Sequence, residues 1–320
     1  MSEAVTWLTP TLINRLEALQ LSVKWVRAGN QMGGRFPINR RGSSIEFADY
    51  AAYCAGDDIR AIDWNLYARL DRLFVKTYKE DMTLSVELLV DATPSMGLPS
   101  PEKFERAKRL AVSLGYVGLA GGHHVRLSWI RAGLPAPDAL LRSAKQSEAS
   151  GAQAGRVAAG RWFHRRSDLF RLAALAADAD VDVDGQVSLA DWMERAAITL
   201  RIHGGQAVLI TDGMSRPADF FRALHILMVR NLEVKIIQVL TPQELHPARL
   251  LQGGMLVDSE TGTTHELAYT PAELERAVAE HNDTLVRFCK RHGIPFARHR
   301  LDESLETFIT KTLPVHGFLE

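Results

Sequence analysis

From Thr83 onward, hydrophobic and polar positions follow a pattern that is typical of an α/β domain. Four apolar runs have the length of β-strands, and they lie at residues 84–91 (LSVELLVD), 124–130 (HVRLSWI), 206–212 (QAVLITD) and 234–240 (VKIIQVL). Stretches with the spacing of amphipathic helices separate these runs. Strands that alternate with helices predict a mostly parallel sheet flanked by helices.

Three of the predicted helices have recognisable start signals. Ser100 is a capping residue, and Pro101 follows it at a position that suits the first turn of a helix. A second helix begins near Pro217. Thr270 and Glu273 have the spacing of a capping box, in which each side chain accepts a hydrogen bond from the other residue's backbone.

The first 82 residues show a different pattern. Apolar residues at helical spacing occur early in this segment, at Leu12, Leu16, Leu19 and Val23. A stretch rich in glycine and arginine follows, and it has little periodicity. This change in the hydrophobic pattern predicts that the chain has two parts, an N-terminal arm at residues 1–82 and an α/β domain at residues 83–320.

Composition narrows the class of protein. The chain of 320 residues has 38 Lys and Arg against 38 Asp and Glu, which excludes a nucleic-acid binder that works by bulk positive charge. Its two cysteines, Cys54 and Cys289, are too few for a disulfide framework or a cysteine-based zinc site. No uncharged apolar run approaches the ~20 residues of a membrane helix. We therefore expect a cytoplasmic protein without membrane insertion.

Charge is nevertheless uneven along the chain. Residues 142–171 contain seven basic and two acidic residues, a net charge of +5. Residues 178–194 contain six acidic residues and no basic one, a net charge of −6. Two solvated helical faces would account for both segments. Because the neutral total is a cancellation of local charges, we expect partner docking to be sensitive to salt.

Carboxylate and hydroxyl side chains lie at the ends of two predicted strands. Asp91 ends the first strand, Thr93 and Ser95 follow it at alternate positions, and Asp212 ends the 206–212 run. Ligands bind at the carboxyl ends of the strands in open α/β sheets. Oxygen donors with few carboxylates suit Mg²⁺, so a site for Mg²⁺, or alternatively Mn²⁺ or Ca²⁺, is predicted. The other interpretation is a capping Asp with turn hydroxyls and no metal.

The DATPS sequence at 91–95 and the TDG sequence at 211–213 resemble the metal-ion-dependent adhesion site of von Willebrand factor A domains. That site has the pattern Asp-x-Ser-x-Ser, a distant Thr and a distant Asp. Thr93 replaces the first Ser here, and Ser188 is the best match to the distant Thr. The resemblance implies a Rossmann-like von Willebrand factor A fold. Its metal would be held by Thr93, Ser95 and Ser188 and, mostly through water, by Asp91 and Asp212.

The acidic segment allows a second interpretation. Residues 180–191 (DVDVDGQVSLAD) match the calcium-binding EF-hand loop at seven positions, with Asp191 where Glu is usual. The partner hand of such a loop is missing and the preceding helix is short. An acidic loop at the sheet edge is the other interpretation of this segment. Ser188 cannot easily serve both the calcium loop and the Mg²⁺ site.

A longer resemblance begins at Asn39. The chain contains GSSIEF at 42–47, YCAGDDIRAIDW at 53–64 and KTYKE at 76–80, ahead of the strand that ends in Asp91. In this order the sequences are similar to the bacterial domain-of-unknown-function family fifty-eight. Its members are von Willebrand A-like proteins that are commonly encoded beside MoxR-type AAA+ ATPases. The resemblance implies such an ATPase, or its client protein, as a partner.

The GDDIRAIDW sequence at 56–64 has three carboxylates close to basic residues. We interpret it as an ion-paired plug that fixes the arm to the α/β domain. Alternatively, the three carboxylates could hold a divalent metal for phosphodiester hydrolysis.

These features predict a non-enzymatic, metal-dependent protein-binding adaptor that acts with a MoxR-type AAA+ ATPase in an assembly or chaperone-like process. The chain contains neither G-x-x-x-x-G-K-[ST] nor G-x-G-x-x-G, so we expect no ATP hydrolysis or dinucleotide binding of those kinds. One alternative is a metal-dependent phosphoester hydrolase that uses the GDDIRAID carboxylates. The other is a scaffold with a vestigial metal site.

Overall fold

The structure is a computed structural model of the 320-residue chain. It describes residues 6–23, 46–54, 59, 62–79, 83–131, 161–182, 189–199, 205–247, 255–257, 264–266 and 270–320. The chain divides into two compact units, of which the smaller is residues 36–83 and the larger is residues 1–35 together with 84–320.

The elements alternate between strands and helices along most of the chain. The strands are β1 (Glu46–Ala52), β2 (Phe74–Lys79), β3 (Ser85–Asp91), β4 (His124–Ile130), β5 (Trp162–Phe163), β6 (Gly205–Thr211), β7 (Leu232–Leu240), β8 (Met255–Val257), β9 (Thr264–Glu266) and β10 (Phe296–Arg300). The helices are α1 (Pro10–Glu17), α2 (Trp64–Leu70), α3 (Glu102–Ala120), α4 (Leu169–Ala177), α5 (Leu189–Thr199), α6 (Pro217–Val229), α7 (Pro242–Leu245), α8 (Pro271–Arg291), α9 (Leu305–Thr307) and α10 (Leu313–Val315).

The larger unit is built on a six-stranded sheet with the order β10-β7-β6-β3-β4-β5. Neighbouring strands are parallel, except that β5 is antiparallel to β4. Numbered within this sheet alone, the strand order is 3-2-1-4-5-6, that of a doubly wound fold. The predicted α/β fold, a mostly parallel sheet flanked by helices, is confirmed.

Both faces of the sheet are buried, and β3 shows how. Its Leu88 and Val90 side chains lie in one hydrophobic core, with α1, α3, α4 and the C-terminal turns. Leu89, on the opposite face, lies in a second core with α5, α6 and α8. A strand covered by helices on both sides consists of an almost continuous apolar run, which explains why the run at 84–91 was recognisable from the sequence.

The predicted strands of the main sheet agree with the observed ones to within two residues. The predicted helix starts agree as well: α6 begins at Pro217, and Thr270 and Glu273 form the capping box of α8. The pattern did not indicate the β1–β2 hairpin or β10. In β10 the sequence is FARHR and the burial alternates, so this edge strand has no apolar run.

The start of the chain belongs structurally to the larger unit, which differs from the predicted arm at residues 1–82. Leu12 and Leu16 of α1 are buried in the same core as β3. The hydroxyl of Tyr116 in α3 donates a 2.5 Å hydrogen bond to Glu17, and Leu21 forms a backbone bridge with Leu319. Because α1 needs this core to bury its apolar side, it packs against the strands and helices of the larger unit.

The smaller unit contains the antiparallel pair β1–β2 and the short helix α2. Asp63, from the GDDIRAIDW sequence, caps α2 by accepting hydrogen bonds from the backbone N–H groups of Asn65 and Leu66 at 2.9 and 3.1 Å. The hydroxyl of Tyr50 also donates to Asp63, at 3.1 Å. Residues 55–58, with the other two carboxylates, lie outside the described residues, so the ion-paired plug stays a prediction.

None of the helices in the described ranges is long and apolar enough to cross a membrane.

At Gly205, the close approach of the β6 backbone to the β3 backbone can be tested by substitution. Its φ is +94°, and an added Cβ would lie 2.2 Å from the carbonyl oxygen of Ser85. We expect Gly205→Ala to lower the free energy of unfolding by about 3 kcal/mol or more, because the clash involves backbone. Gly122→Ala, at φ +76° with open space around it, should cost only about 1 kcal/mol. Equal losses in chemical denaturation would contradict this account.

Candidate metal centre

The candidate site lies where the carboxyl ends of β3 and β6 meet. Asp91 is the last residue of β3, and Asp212 follows directly after β6. From β3 the chain continues toward the β5 edge of the sheet, and from β6 it continues toward the β10 edge. Because the connections run in opposite directions, a crevice forms at the carboxyl ends of these two adjacent strands. The strand order therefore places both predicted carboxylates at the position where doubly wound folds bind ligands.

Asp91 is buried and its carboxylate accepts hydrogen bonds at both oxygens. Oδ1 accepts from the backbone N–H of Thr93 at 3.0 Å and from the Thr93 hydroxyl at 2.7 Å. Oδ2 accepts from the hydroxyl of Thr211, the last residue of β6, at 2.6 Å. The Thr211 oxygen in turn accepts from the backbone N–H of Gly213 at 3.0 Å. These bonds fix the carboxylate between the two strands.

Thr93 and Ser95 extend the row of oxygens from Asp91. Thr93 precedes the 3₁₀ turn Pro94–Gly97, and its Oγ1 is 3.1 Å from Oγ of Ser95. Thr93 is buried, whereas Ser95 is only half-buried. The turn thus brings the three predicted oxygen donors together and leaves the outermost one nearest to solvent.

Burial and, to a smaller extent, the nearby negative charge of Asp212 together raise the pKa of Asp91 to about 6. The hydrogen bonds from Thr211 and Thr93 oppose this effect without cancelling it. Two carboxylates buried near each other each disfavour the ionised state of the other. A cation at this position would relieve the cost of ionising Asp91.

Asp212 is held by groups that the sequence analysis did not identify. Its Oδ1 accepts from the backbone N–H of Met214 at 3.0 Å, and its Oδ2 is 3.0 Å from Nζ of Lys103 in α3. Nζ also contacts Glu244 of α7 at 2.5 Å. The Lys103 side chain has no exposed surface. Burial acts to lower the pKa of Lys103, yet the two carboxylates hold it above its usual value.

Glu244 serves two purposes at once. It is the capping-box residue of α7, and its Oε2 accepts from the N–H and hydroxyl of Thr241 at 2.7 and 2.9 Å. Its Oε1 contacts Lys103. Lys103 therefore links the turn after β7 to the candidate site.

The backbone at Asp212 and Gly213 is also fixed from the side of α8. The amide nitrogen of Gln238 donates to the carbonyl of Asp212 and to Asn282, both at 2.8 Å. Nε2 of His281 is 2.7 Å from the carbonyl of Gly213. Gly213 has φ +71°, a left-handed turn that glycine adopts readily.

The charges and donors of the site fit a divalent cation. Asp91, Asp212 and Glu244 contribute three negative charges when ionised and Lys103 one positive charge, which leaves two negative charges in buried surroundings. The oxygens that lie together are one carboxylate, that of Asp91, and the three hydroxyls of Thr93, Ser95 and Thr211. Such a set suits a hard cation that keeps some of its waters. No cluster of three or more His, Cys, Asp or Glu side chains that could hold a metal ion occurs in the described ranges. The hydroxyls are therefore essential to any metal site here.

Two further predictions concern residues 183–188, which lie outside the described ranges. Ser188, the predicted equivalent of the distant Thr, is one of them and stays a prediction. The calcium loop at 180–191 is likewise described only at its ends. At its start, the N–H of Asp182 donates to the carbonyl of Ala92 at 2.8 Å, so the acidic segment begins beside the candidate site.

Sequence reasoning missed Lys103, although a signal was present. A lysine in the first turn of a helix is opposed by the helix dipole, which favours negative charge there. The signal is weak, because Lys103 lies among other charged residues in EKFERAKR at 102–109. Which carboxylate it meets depends on the strand order and was not readable from the sequence.

Comparison with known families confirms the resemblance to the domain-of-unknown-function family. Residues 49–139 match the family described as "Protein of unknown function DUF58". This match includes all of GDDIRAIDW and the first strand of the candidate site. An uncharacterised protein of Mycobacterium tuberculosis is 28% identical over 300 residues, which are 92% of this chain and 86% of that protein.

Solved structures with similar architecture include von Willebrand factor A proteins. One, described as von Willebrand factor type A from Catenulispora acidiphila, has a TM-score of 0.31 and 17% identity over 76% of this chain and 51% of that chain. Another is proximal thread matrix protein 1 from mussel byssus, described with a zinc-occupied MIDAS motif. Its TM-score is 0.32, with 12% identity over 64% of this chain and 46% of that chain.

Replacing Asp91 by Asn tests the electrostatics of the site. Asp91 has a raised pKa in the folded state, so its contribution makes the metal-free protein less stable as pH rises from about 4 through about 6. We expect Asp91→Asn to be more stable than the wild type at neutral pH by roughly 2 to 3 kcal/mol without metal. This gain should disappear near pH 4. Thermal unfolding in chelator over this pH range measures it, and a loss of stability at neutral pH would contradict it.

Replacing Lys103 by Met tests the buried ion pairs. The change leaves Asp212 and Glu244 without their cation, so we expect a loss of about 3 to 5 kcal/mol in the free energy of unfolding. Because the site then has one more negative charge, added Mg²⁺ should raise the melting temperature more than in the wild type. Lys290→Met, at an exposed lysine in α8, is the control. An unchanged Mg²⁺ response in Lys103→Met would show that Lys103 does not act on the metal site.

Proposed function

We propose that this chain is a non-enzymatic adaptor that binds a partner protein through a divalent metal ion. The observation that carries the proposal is the two buried carboxylates at the meeting point of β3 and β6, Asp91 and Asp212, of which only Asp212 has a cation, Lys103, at ion-pair distance in the described residues. They lie beside hydroxyl oxygens in the crevice where this type of sheet binds ligands. A buried site of this kind favours a divalent cation, and Ser95 at its rim is partly open to solvent.

The proposed ligands follow from the positions of the oxygens. Thr93 and Ser95 would contact the metal directly, with Ser188 as the proposed third hydroxyl. Asp91 and Asp212 would act through water, because hydrogen bonds from Thr93, Thr211, Met214 and Lys103 already engage their oxygens. The proposed metal is Mg²⁺, with Mn²⁺ or Ca²⁺ as alternatives. When bound, it supplies an open coordination position for a carboxylate of the partner.

The proposed partner is a MoxR-type AAA+ ATPase or its client protein, in an assembly or chaperone-like process in the cytoplasm. The support is the ordered similarity to the domain-of-unknown-function family, which includes both GDDIRAIDW and the strand that ends in Asp91. A carboxylate from the partner would complete the coordination of the metal. Docking would then depend on the metal and on the direction of approach.

A binding experiment with purified proteins tests the proposal. The full chain would be immobilised and offered the MoxR-type ATPase encoded in the same genome, and native extract in parallel, with Mg²⁺ or with chelator. We expect capture in Mg²⁺ and at least about a tenfold loss in chelator or in Asp91→Ala. Asp283→Ala, at an exposed residue of α8, should bind normally.

Unchanged capture in both chelator and Asp91→Ala would overturn the adaptor proposal. A parallel assay with generic phosphoesters and Mg²⁺ or Mn²⁺ addresses the hydrolase alternative. Turnover that Asp58→Ala abolishes would favour an enzyme that uses GDDIRAID. The scaffold alternative predicts no change of melting temperature with any of the three metals.

A further inference from the structure

A second surface of the larger unit has the features of a binding site. A pocket of about 420 Å³ lies beside β5, at the edge of the main sheet, and is formed by residues in the range 161–171. Phe163 of β5 pairs with Val125, near the amino end of β4, whereas Asp91 pairs with Ile130 at the carboxyl end of β4. The pocket therefore lies toward the opposite end of the sheet from the candidate metal centre.

Trp162 forms a fixed wall of this pocket. The guanidinium of Arg126 in β4 lies 4.5 Å from the centre of the Trp162 ring. Arg126 is itself buried and donates two hydrogen bonds to Glu87 of β3, at 2.9 and 2.5 Å. The charge of Arg126 is thus balanced inside the sheet, and its role here is to hold the indole in place.

The charged side chains at the pocket are mostly basic. Arg161, Arg165 and Arg171 line it together with a single carboxylate, that of Asp168. Three positive charges and one negative charge leave a net charge of +2. Arg171 is 3.4 Å from Asp168. Arg161 and Arg165 have no carboxylate at ion-pair distance in the part of the chain that the structure describes.

The chemistry of the pocket distinguishes between kinds of anion. Phosphate sites in proteins commonly use backbone N–H groups at the start of a helix. Here the N–H groups of His164 and Arg165 donate to the carboxylate of Asp168, at 3.3 and 3.2 Å. The pocket offers guanidinium groups instead, which pair with carboxylates and phosphates alike. The backbone N–H groups that Asp168 already engages are therefore the observation that favours a carboxylate ligand.

We propose that this pocket, defined by Arg161, Trp162, Arg165 and Arg171, binds an acidic segment of a partner protein. Glutamate or aspartate side chains of that segment would meet the arginines. The methylene groups of these side chains would lie against Trp162. This contact needs no metal, so it is independent of the proposed function at Asp91 and would form a second anchor for a partner.

Fluorescence anisotropy of a labelled octaglutamate peptide with the full chain tests the proposal. We expect saturable binding at low ionic strength, weakened by added salt, and no binding of octaglutamine. Chelator and Asp91→Asn should leave the affinity unchanged. The double variant Arg161→Gln/Arg165→Gln should bind at least about tenfold more weakly. The matched control Arg276→Gln/Arg291→Gln, at exposed arginines of α8, removes the same charge elsewhere and should bind like the wild type.

Three results would overturn the proposal. Equal losses in the two double variants would show a response to net charge alone. Loss of peptide binding in chelator would place the peptide at the metal centre. Tighter binding of inorganic pyrophosphate or of single-stranded RNA than of octaglutamate, in competition, would assign the pocket to phosphate ligands. Circular dichroism and melting temperature of both double variants establish that each is folded.

Discussion

Negative charge buried between two adjacent parallel strands is the constraint on which the rest of the candidate site depends. Asp91 and Asp212 lie at the ends of β3 and β6, shielded from solvent by helices on both faces of the sheet. A buried carboxylate needs hydrogen bonds, a counter-ion or a proton. The surrounding residues supply hydrogen bonds and a counter-ion only in part. Burial and the charge of Asp212 therefore raise the pKa of Asp91 to about 6.

Residues from distant segments of the chain converge here and compensate part of this buried negative charge. Lys103 comes from the start of α3, Glu244 from the turn after β7, and Gln238 from β7 itself. Lys103 balances the charge of Asp212, Glu244 contacts Lys103, and Gln238 donates to the Asp212 carbonyl. Among the described residues, in contrast, Asp91 is engaged only by hydroxyl and backbone donors. The Asp91 side of the site is therefore the side on which a cation has most to contribute, and it is also the side next to Ser95 at the rim.

Oxygen donors and arginines thus lie at different places on the sheet. Its centre, at the carboxyl ends of β3 and β6, concentrates buried oxygen donors. Its edge at β5 carries arginines around Trp162, and the Arg126–Glu87 pair inside the sheet holds that wall in place. Of the two stretches that cancel in the net charge, residues 161–171 lie at the β5 edge and Asp182 contacts Ala92 beside the candidate site. A partner that used both surfaces would be recognised by a metal-bound carboxylate at one and by a row of acidic side chains at the other.

The sequence by itself determined the strands and the first half of the candidate site. Each buried strand of a parallel sheet is a continuous apolar run, and the DATPS sequence lies directly at the end of one such run, so local pattern was sufficient. It did not reveal β10, β1 or β2, because edge and hairpin strands lack that run. Only the tertiary structure decided that Lys103 meets Asp212, 109 residues away along the chain, and that α1 packs into the larger unit. Contacts of that separation follow from strand order and packing of whole elements, and no local periodicity encodes them.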